Sequence, residues 1–136
     1  MSDSGRPRGF QGARAMSASF ERCTLDPLPR EVVIMTVAVR NQCRICVAMH
    51  TGKLRELGAE AELIAALREE RVLADERPEA IRTFTLVVLA TAGAVDGDAL
   101  KGRLAHGYTE RIAREVVLGI GAYTMSTLAN RLVRAA

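Results

Sequence analysis

The chain has 136 residues, enough for one domain with a real core and too few for two ordinary ones. Its 49% hydrophobic and 26% charged residues exclude disorder throughout, collagen-like repetition and a disulfide scaffold, and with no Trp, two Tyr and three Phe the core must rest on aliphatic side chains, which favours packed helices over a β-sandwich. The net charge of +3 sits mostly at the start: residues 1–30 carry five Arg against three acids, the remainder fourteen basic against thirteen acidic residues, so no basic stripe for nucleic acid is expected.

Residues 1–24 mix Gly, Ser, Arg and Gln with isolated apolar residues, the composition of a flexible tail or of an arm that orders against a partner subunit; the helical domain is expected over 25–136. Asp26 is placed to cap a first helix whose opening turn tolerates Pro27 and Pro29. From Glu31 to about Asn41 that helix is apolar nearly all round, so it is central or lies at an interface. A second helix should run from near Cys43 to Leu57 and end at Gly58 in a left-handed conformation. A third covers about 59–71 with Leu63, Ile64 and Leu67 as its apolar stripe, and Pro78 opens a fourth over about 79–94. Asp96 or Asp98 caps a short fifth that closes at Gly107, with His106 as a structural residue beside the terminal carbonyls; Thr109 caps the last and longest helix, about 110–134. The fold class is all-α with about six helices. Gly119 and Gly121 cost the last helix roughly 1 kcal/mol each against Ala, for which close helix–helix approach is the usual compensation.

The apolar runs 84–95 and 116–129 are shorter than the roughly 20 residues of a membrane span, so buried helices are expected and no membrane contact. They offer more apolar surface than six helices can hide, which points to an obligate homo-oligomer. No apolar stretch of a secretory signal stands at the start, and a reducing cytoplasm is the expected compartment.

The residues that carry chemistry are concentrated in Cys43-Arg44-Ile45-Cys46-Val47-Ala48-Met49-His50. Cysteines at i and i+3 of a helix start are close enough for a local disulfide, and His50, four residues after Cys46, stacks one turn above its sulfur, where it can take the thiol proton. If the first two helices form an antiparallel hairpin turning near residue 42, Glu31 comes opposite about residue 53, within reach of His50 directly or through one water. It would then orient the imidazole and favour its protonated form. The helix N-terminus acidifies Cys43 and His50 acts on Cys46; a base one turn away also moves protons, which favours Cys46 as the nucleophile.

The pattern Glu-x11-Cys-x2-Cys-x3-His resembles the alkylhydroperoxidase D-like core of the carboxymuconolactone decarboxylase-like superfamily, over about residue 25 to the C-terminus. The resemblance implies an all-helical fold assembling into trimers or hexamers and a thiol-dependent peroxidase or disulfide oxidoreductase activity on hydroperoxide or disulfide substrates. It implies Cys46 as the residue attacking the peroxide, Cys43 as the residue resolving the sulfenic acid to a disulfide, His50 and Glu31 as the proton relay, and a dithiol of the dihydrolipoamide or thioredoxin kind as reductant, with no cofactor. The prototype has His before its second cysteine and many small relatives have Tyr; this chain has Ile45.

Three other readings compete. A Cys-x2-Cys with a nearby His suits zinc, with Cys23 as a fourth ligand, but no second ligand pair is evident, so no metal is expected and Cys23 is read as a free thiol. Ile45, Val47 and Met49 make the surroundings apolar, which raises thiol pKa values and suits an inert pair in an interaction or assembly module. The third is a cofactor-free enzyme of the decarboxylase branch, although that branch generally lacks the cysteine pair. Glu31 taken alone is a first-turn acid complementing the helix dipole. Tyr123, Met125 and Asn130 are read as core or interface residues, with Tyr123 also placed to line a pocket over the sulfurs.

Overall fold

The computed structural model describes residues 8–104 and 107–135 of the chain. Among these are seven helices and no strand: α1 (Arg8–Glu21), α2 (Pro27–Arg40), α3 (Arg44–Glu56), α4 (Ala61–Arg68), α5 (Glu76–Thr91), α6 (Gly97–Leu104) and α7 (Glu110–Ala135). The all-α expectation holds, with one helix more than the six predicted. His106, predicted to be structural, lies outside the described residues.

The organising element is α2. Its β-branched run has poor intrinsic helix propensity, so the helix depends on tertiary packing. Every residue from Glu31 to Ala38 is buried, and α2 packs against α1, α3, α4, α5 and α7. A helix enclosed on all sides can be apolar all round, which is the pattern its sequence shows. Thr36 meets this environment by donating its hydroxyl to the Val32 carbonyl at 2.7 Å.

The extra helix lies within the segment expected to be a flexible tail or an arm that orders against a partner subunit. Arg8–Glu21 forms α1 and lies along α7 of the same chain, with Phe20 fully buried. Burial of one such ring contributes about 1.5–3 kcal/mol, enough to hold a segment whose composition alone would leave it loose. The packing explains the glycines of α7. A Cβ on Gly119 would stand 2.6 Å from Phe20 Cζ, and one on Gly121 would stand 3.1 Å from Met16 Cε, so the two helices approach where α7 lacks side chains. The loop after α1 is clipped to α7 by Glu115, whose carboxylate accepts from the amides of Thr24 and Leu25, each at 3.0 Å, and from the Thr24 hydroxyl.

Other boundaries shift for local reasons. Helix α5 starts three residues before Glu79, because Asp75 caps it by accepting from the Arg77 amide at 3.1 Å, and Pro78 then falls in the first turn, where no amide is needed. Helix α3 ends as predicted, with Gly58 at φ +77° and the Gly58 and Ala59 amides bonded to the Arg55 and Leu54 carbonyls. Thr109 caps α7 by accepting from the Ile112 amide. Asp26 does occupy the position before α2, but its side chain makes no capping bond.

The last helix is buried along one side and carries the surplus apolar surface on the other. Its inner side, with Val116, Ala122, Tyr123 and Thr127, faces the core, while Val117, Met125, Leu128, Leu132 and Val133 are exposed. Extended to Val133, α7 is long and apolar enough to cross a membrane by length and composition, a test that a helix packed along one side into a domain also passes.

Candidate active site

The site is built on the α2–α3 hairpin. Helix α2 ends with Asn41 as its cap and Gln42 in the left-handed region at φ +56°. The Gln42 amide bonds the Val39 carbonyl and the Cys43 amide bonds the Ala38 carbonyl, each at 3.0 Å. These paired bonds reverse the chain in two residues and deliver Cys43 as the N-cap of α3.

Cys46 is therefore the third residue of α3, and its sulfur forms a disulfide with Cys43 across a Cα–Cα distance of 5.4 Å. Both cysteines are buried and cluster with Ala38, beside Ile45 and Val47. His50 is buried one turn further along.

The hairpin brings Glu31 to His50 without an intervening water. Glu31 Oε1 lies 2.7 Å from His50 Nδ1, and both residues are 8% exposed. Because α2 starts at Pro27, Glu31 is its fifth residue and lies beyond the first turn, so a role as a dipole-complementing acid does not fit. A buried carboxylate needs a partner, and His50 Nδ1 supplies it. Bonding at Nδ1 leaves Nε2 as the nitrogen free to exchange protons with a reacting group.

Helix α7 closes the site from the other side. The Tyr123 ring stands edge-on to His50, with centroids 5.5 Å apart and planes at 88°. Burial, with the Glu21 and Glu31 carboxylates, pushes the Tyr123 hydroxyl above its ordinary pKa, so at neutral pH it is an uncharged phenol. Asn130 Nδ2 lies 3.4 Å from Cys46 Sγ. Nearby, Asn41 Nδ2 donates to Thr127 Oγ1 at 2.9 Å and Arg131 Nη1 donates to the Asn41 carbonyl at 3.1 Å, so α7 is tied to the turn that carries the cysteines.

Of the four residues predicted from sequence, the structure joins Glu31 to His50 and Cys43 to Cys46, with the two pairs one turn apart along α3. Asn130 is the contact that sequence reasoning misses: its pattern suits a core or interface residue, and 84 residues separate it from Cys46. Cys23 lies apart, in the α1–α2 loop beside Glu115, with its thiol pushed up mainly by burial. Among the described residues no group of three or more His, Cys, Asp or Glu side chains is arranged to hold a metal ion. A groove of about 510 Å³ lined by Leu28, Leu63, Ala66, Leu73 and Pro78, among others, includes none of the cluster's residues.

The sequence profile of the carboxymuconolactone decarboxylase family matches residues 11–88, a stretch that contains α2, α3 and the whole Glu31–Cys43–Cys46–His50 set. The chain belongs to this family. No curated protein matches the sequence. Among solved structures, a protein of unknown function from Agrobacterium tumefaciens, provisionally named as the antioxidant defence protein AhpD, superimposes with a TM-score of 0.79 at 20% identity over 97% of this chain and 90% of that one. An uncharacterized peroxidase-related protein from Silicibacter gives a TM-score of 0.77 at 22% identity over 92% of this chain and 66% of that one. At these identities the likeness establishes the fold. The family match starts at residue 11, inside α1, and so includes residues 11–24 of the segment that composition alone assigns to a tail or arm.

Proposed function

We propose that this member of the carboxymuconolactone decarboxylase family is a thiol-dependent peroxidase or disulfide oxidoreductase in which Cys43 and Cys46 are the redox pair and His50 with Glu31 is the proton relay. The observation that carries the reading is the contact between Glu31 and His50 at 2.7 Å, one turn from a cysteine pair already in disulfide register. A histidine held by a buried carboxylate one helical turn after a cysteine is an arrangement suited to moving protons, and an inert pair would have no use for it.

In the reaction the reduced Cys46 thiolate attacks the terminal, hydroxyl-bearing oxygen of an organic hydroperoxide. The O–O bond breaks, Cys46 becomes a sulfenic acid, and the leaving alkoxide takes a proton delivered through His50 and departs as alcohol. The Cys43 thiol then attacks the Cys46 sulfur, releasing water and closing the disulfide. A dithiol of the dihydrolipoamide or thioredoxin kind returns two electrons and two protons and is itself oxidised to a disulfide. A reducing compartment such as the cytoplasm suits such a cycle.

The exposed outer face of α7 fits burial against a second copy of this chain, in a trimer or hexamer of the sort the family resemblance implies. Met125, Leu128 and Leu132, all exposed, follow one another at three- and four-residue steps, the spacing of a helix seam.

The test is the intact mass of reduced, chelator-treated protein before and after one equivalent of cumene hydroperoxide. The expected result is loss of two hydrogens mapped to residues 43–46 in the wild type, and gain of one oxygen on Cys46 in Cys43→Ser. Absence of reaction in the reduced wild type would overturn the reading. Turnover of another small molecule that survives Cys46→Ser would place the chain among cofactor-free enzymes instead.

A further inference from the structure

Asn130 has no part in the relay, yet its amide is the polar group that α7 brings to the sulfur of Cys46. We propose that the Asn130 side-chain amide, 3.4 Å from Cys46 Sγ, stabilises the thiolate form of that sulfur and so sets both its acidity and the reduction potential of the pair. The inference rests on the redox reading of Cys43 and Cys46 and assigns to a further residue the control of that chemistry.

The electrostatics run in one direction. A disulfide sulfur is a weak acceptor, whereas a thiolate sulfur carries a full charge, and hydrogen bonds to ionised groups are roughly twice as strong as neutral ones. The same amide therefore contributes little to the oxidised protein and substantially to the reduced, ionised one. A donor that favours the charged form lowers the pKa of the acid it faces. It also favours the dithiol state over the disulfide, which makes the pair a stronger oxidant.

The donor is held in place by its neighbours on α7. Thr127, one turn earlier, accepts from Asn41 Nδ2 at 2.9 Å, and Arg131, the next residue, donates to the Asn41 carbonyl at 3.1 Å. Both contacts pin this part of α7 to the turn that begins the disulfide loop two residues later, so the amide cannot drift from the sulfur without breaking them. Asn is also a poor choice for a helix interior when packing alone is at stake, since Ala or Leu is better by about half a kcal/mol.

The titratable and charged groups around the pair are His50 and Arg44 on α3, Glu31 on α2 behind His50, and Tyr123 and Arg131 on α7. Asn130 reaches the Cys46 sulfur from α7, while His50 stands one turn along α3. One exchanges protons with solvent and substrate; the other is a fixed dipole that stays a donor at every pH.

The experiment titrates the thiolate of Cys46 by its ultraviolet absorbance in reduced Cys23→Ser/Cys43→Ser protein, with Asn130 retained and with the further substitutions Asn130→Ala and Asn130→Asp. It also equilibrates the pair in Cys23→Ser protein with dithiothreitol, whose two thiols give up two electrons and two protons as the protein disulfide is reduced. Asn130→Ala should raise the apparent pKa of Cys46 by about one unit and shift the equilibrium about tenfold towards the protein disulfide. Asn130→Asp should raise the pKa further, because a carboxylate repels the thiolate, an ordering that a loss of packing would not produce. Unchanged pKa and unchanged equilibrium in a folded Asn130→Ala protein would overturn the proposal. Should that variant fail to fold, the side-chain amide protons of Asn130 in the Cys23→Ser/Cys43→Ser protein decide by magnetic resonance: a downfield move that tracks the Cys46 titration supports the proposal, and a flat signal overturns it. The two readings fail separately, since a protein inert to hydroperoxide can still show the pKa shift, and a reactive one can lack it.

Discussion

Glu31 Oε1 and His50 Nδ1 meet at 2.7 Å inside the protein, each residue 8% exposed, and that contact fixes which imidazole nitrogen faces the chemistry. Replacing His50 by Ala removes the proposed proton carrier and should lower the rate of reaction with an organic hydroperoxide by about 10²–10⁴-fold while the protein stays folded. Glu31→Gln keeps a hydrogen-bonding partner but removes the charge, so the loss should be smaller and the rate optimum should move in pH. Stopped-flow rates across pH check both, and a wild-type rate in His50→Ala would remove the relay.

Acid should weaken the fold through a second carboxylate. Glu79 grips Arg82 with two hydrogen bonds, 2.6 Å to Nε and 2.9 Å to Nη2, and accepts from the Leu73 amide at 3.0 Å. Burial pushes the Glu79 carboxyl up, but Arg82 and the Leu73 amide outweigh it and hold the pKa below the ordinary carboxylate value. A depressed folded-state pKa contributes stability that is complete above the unfolded value and lost as pH falls through the folded one. Wild-type stability should therefore decline below about pH 4.5, from this group together with Glu115, whose pKa is also held down against burial by Thr24 and Leu25. Glu79→Gln should lose about 3 kcal/mol at neutral pH, because Arg82 is left buried without its partner, and should show a flatter acid limb in urea titrations.

The contact between α1 and α7 gives a pair of opposed substitutions. Gly119→Ala puts a methyl 2.6 Å from the Phe20 ring and should cost about 1–3 kcal/mol. Gly102→Ala, in α6 with nothing within 4 Å of the new Cβ, should stabilise by about 0.5–1 kcal/mol. Thermal melts of the two variants should move in opposite directions.

Gln42 holds a left-handed backbone where Gly is the usual residue. Gln42→Gly relieves a strain of about 1–2 kcal/mol at an entropic cost of roughly half that, so stability should stay level or rise slightly. Gln42→Val, β-branched at the same φ, should destabilise. Chemical denaturation curves distinguish the two, and a clear loss in Gln42→Gly would mean that its side chain has a role of its own.

Leu132, 75% exposed on α7, tests the proposed contact with a second copy. Leu132→Glu should lower the mass measured by light scattering to that of smaller species without changing the helical signal. A monomeric wild type would dispose of the contact.

Much of the site is legible in the sequence because its geometry is local. The i, i+3 and i+4 spacings of Cys43, Cys46 and His50 are fixed by the turn of one helix, and Glu31 enters by the rise per residue along a two-helix hairpin. What depends on distant packing is not legible. Asn130 is an ordinary polar residue of a long helix until α7 is laid along α2 and its end meets the turn that carries the cysteines, and nothing in its neighbours announces a sulfur. Helix α1 escapes because its buried residues are few and its surroundings rich in Ser, Gly and Arg; the clue stands at Gly119 and Gly121, whose missing side chains imply a close partner without saying which segment supplies it. The surplus apolar surface of α7 is legible as an excess in the sequence, but which residues it leaves exposed is not, since apolar composition does not say which side of a helix its own chain covers.

The 84 residues between Cys46 and Asn130 bear on synthesis as well as chemistry. As the chain leaves the ribosome, α2 and α3 can pair, and Glu31, Cys43, Cys46 and His50 can assemble, while α7 is still unmade. Through that interval Cys46 lacks the amide of Asn130 and His50 lacks the ring of Tyr123, and solvent stands where α7 will later lie. The cysteine pair thus meets the redox conditions of the cell twice, once as a bare hairpin and once inside the finished protein.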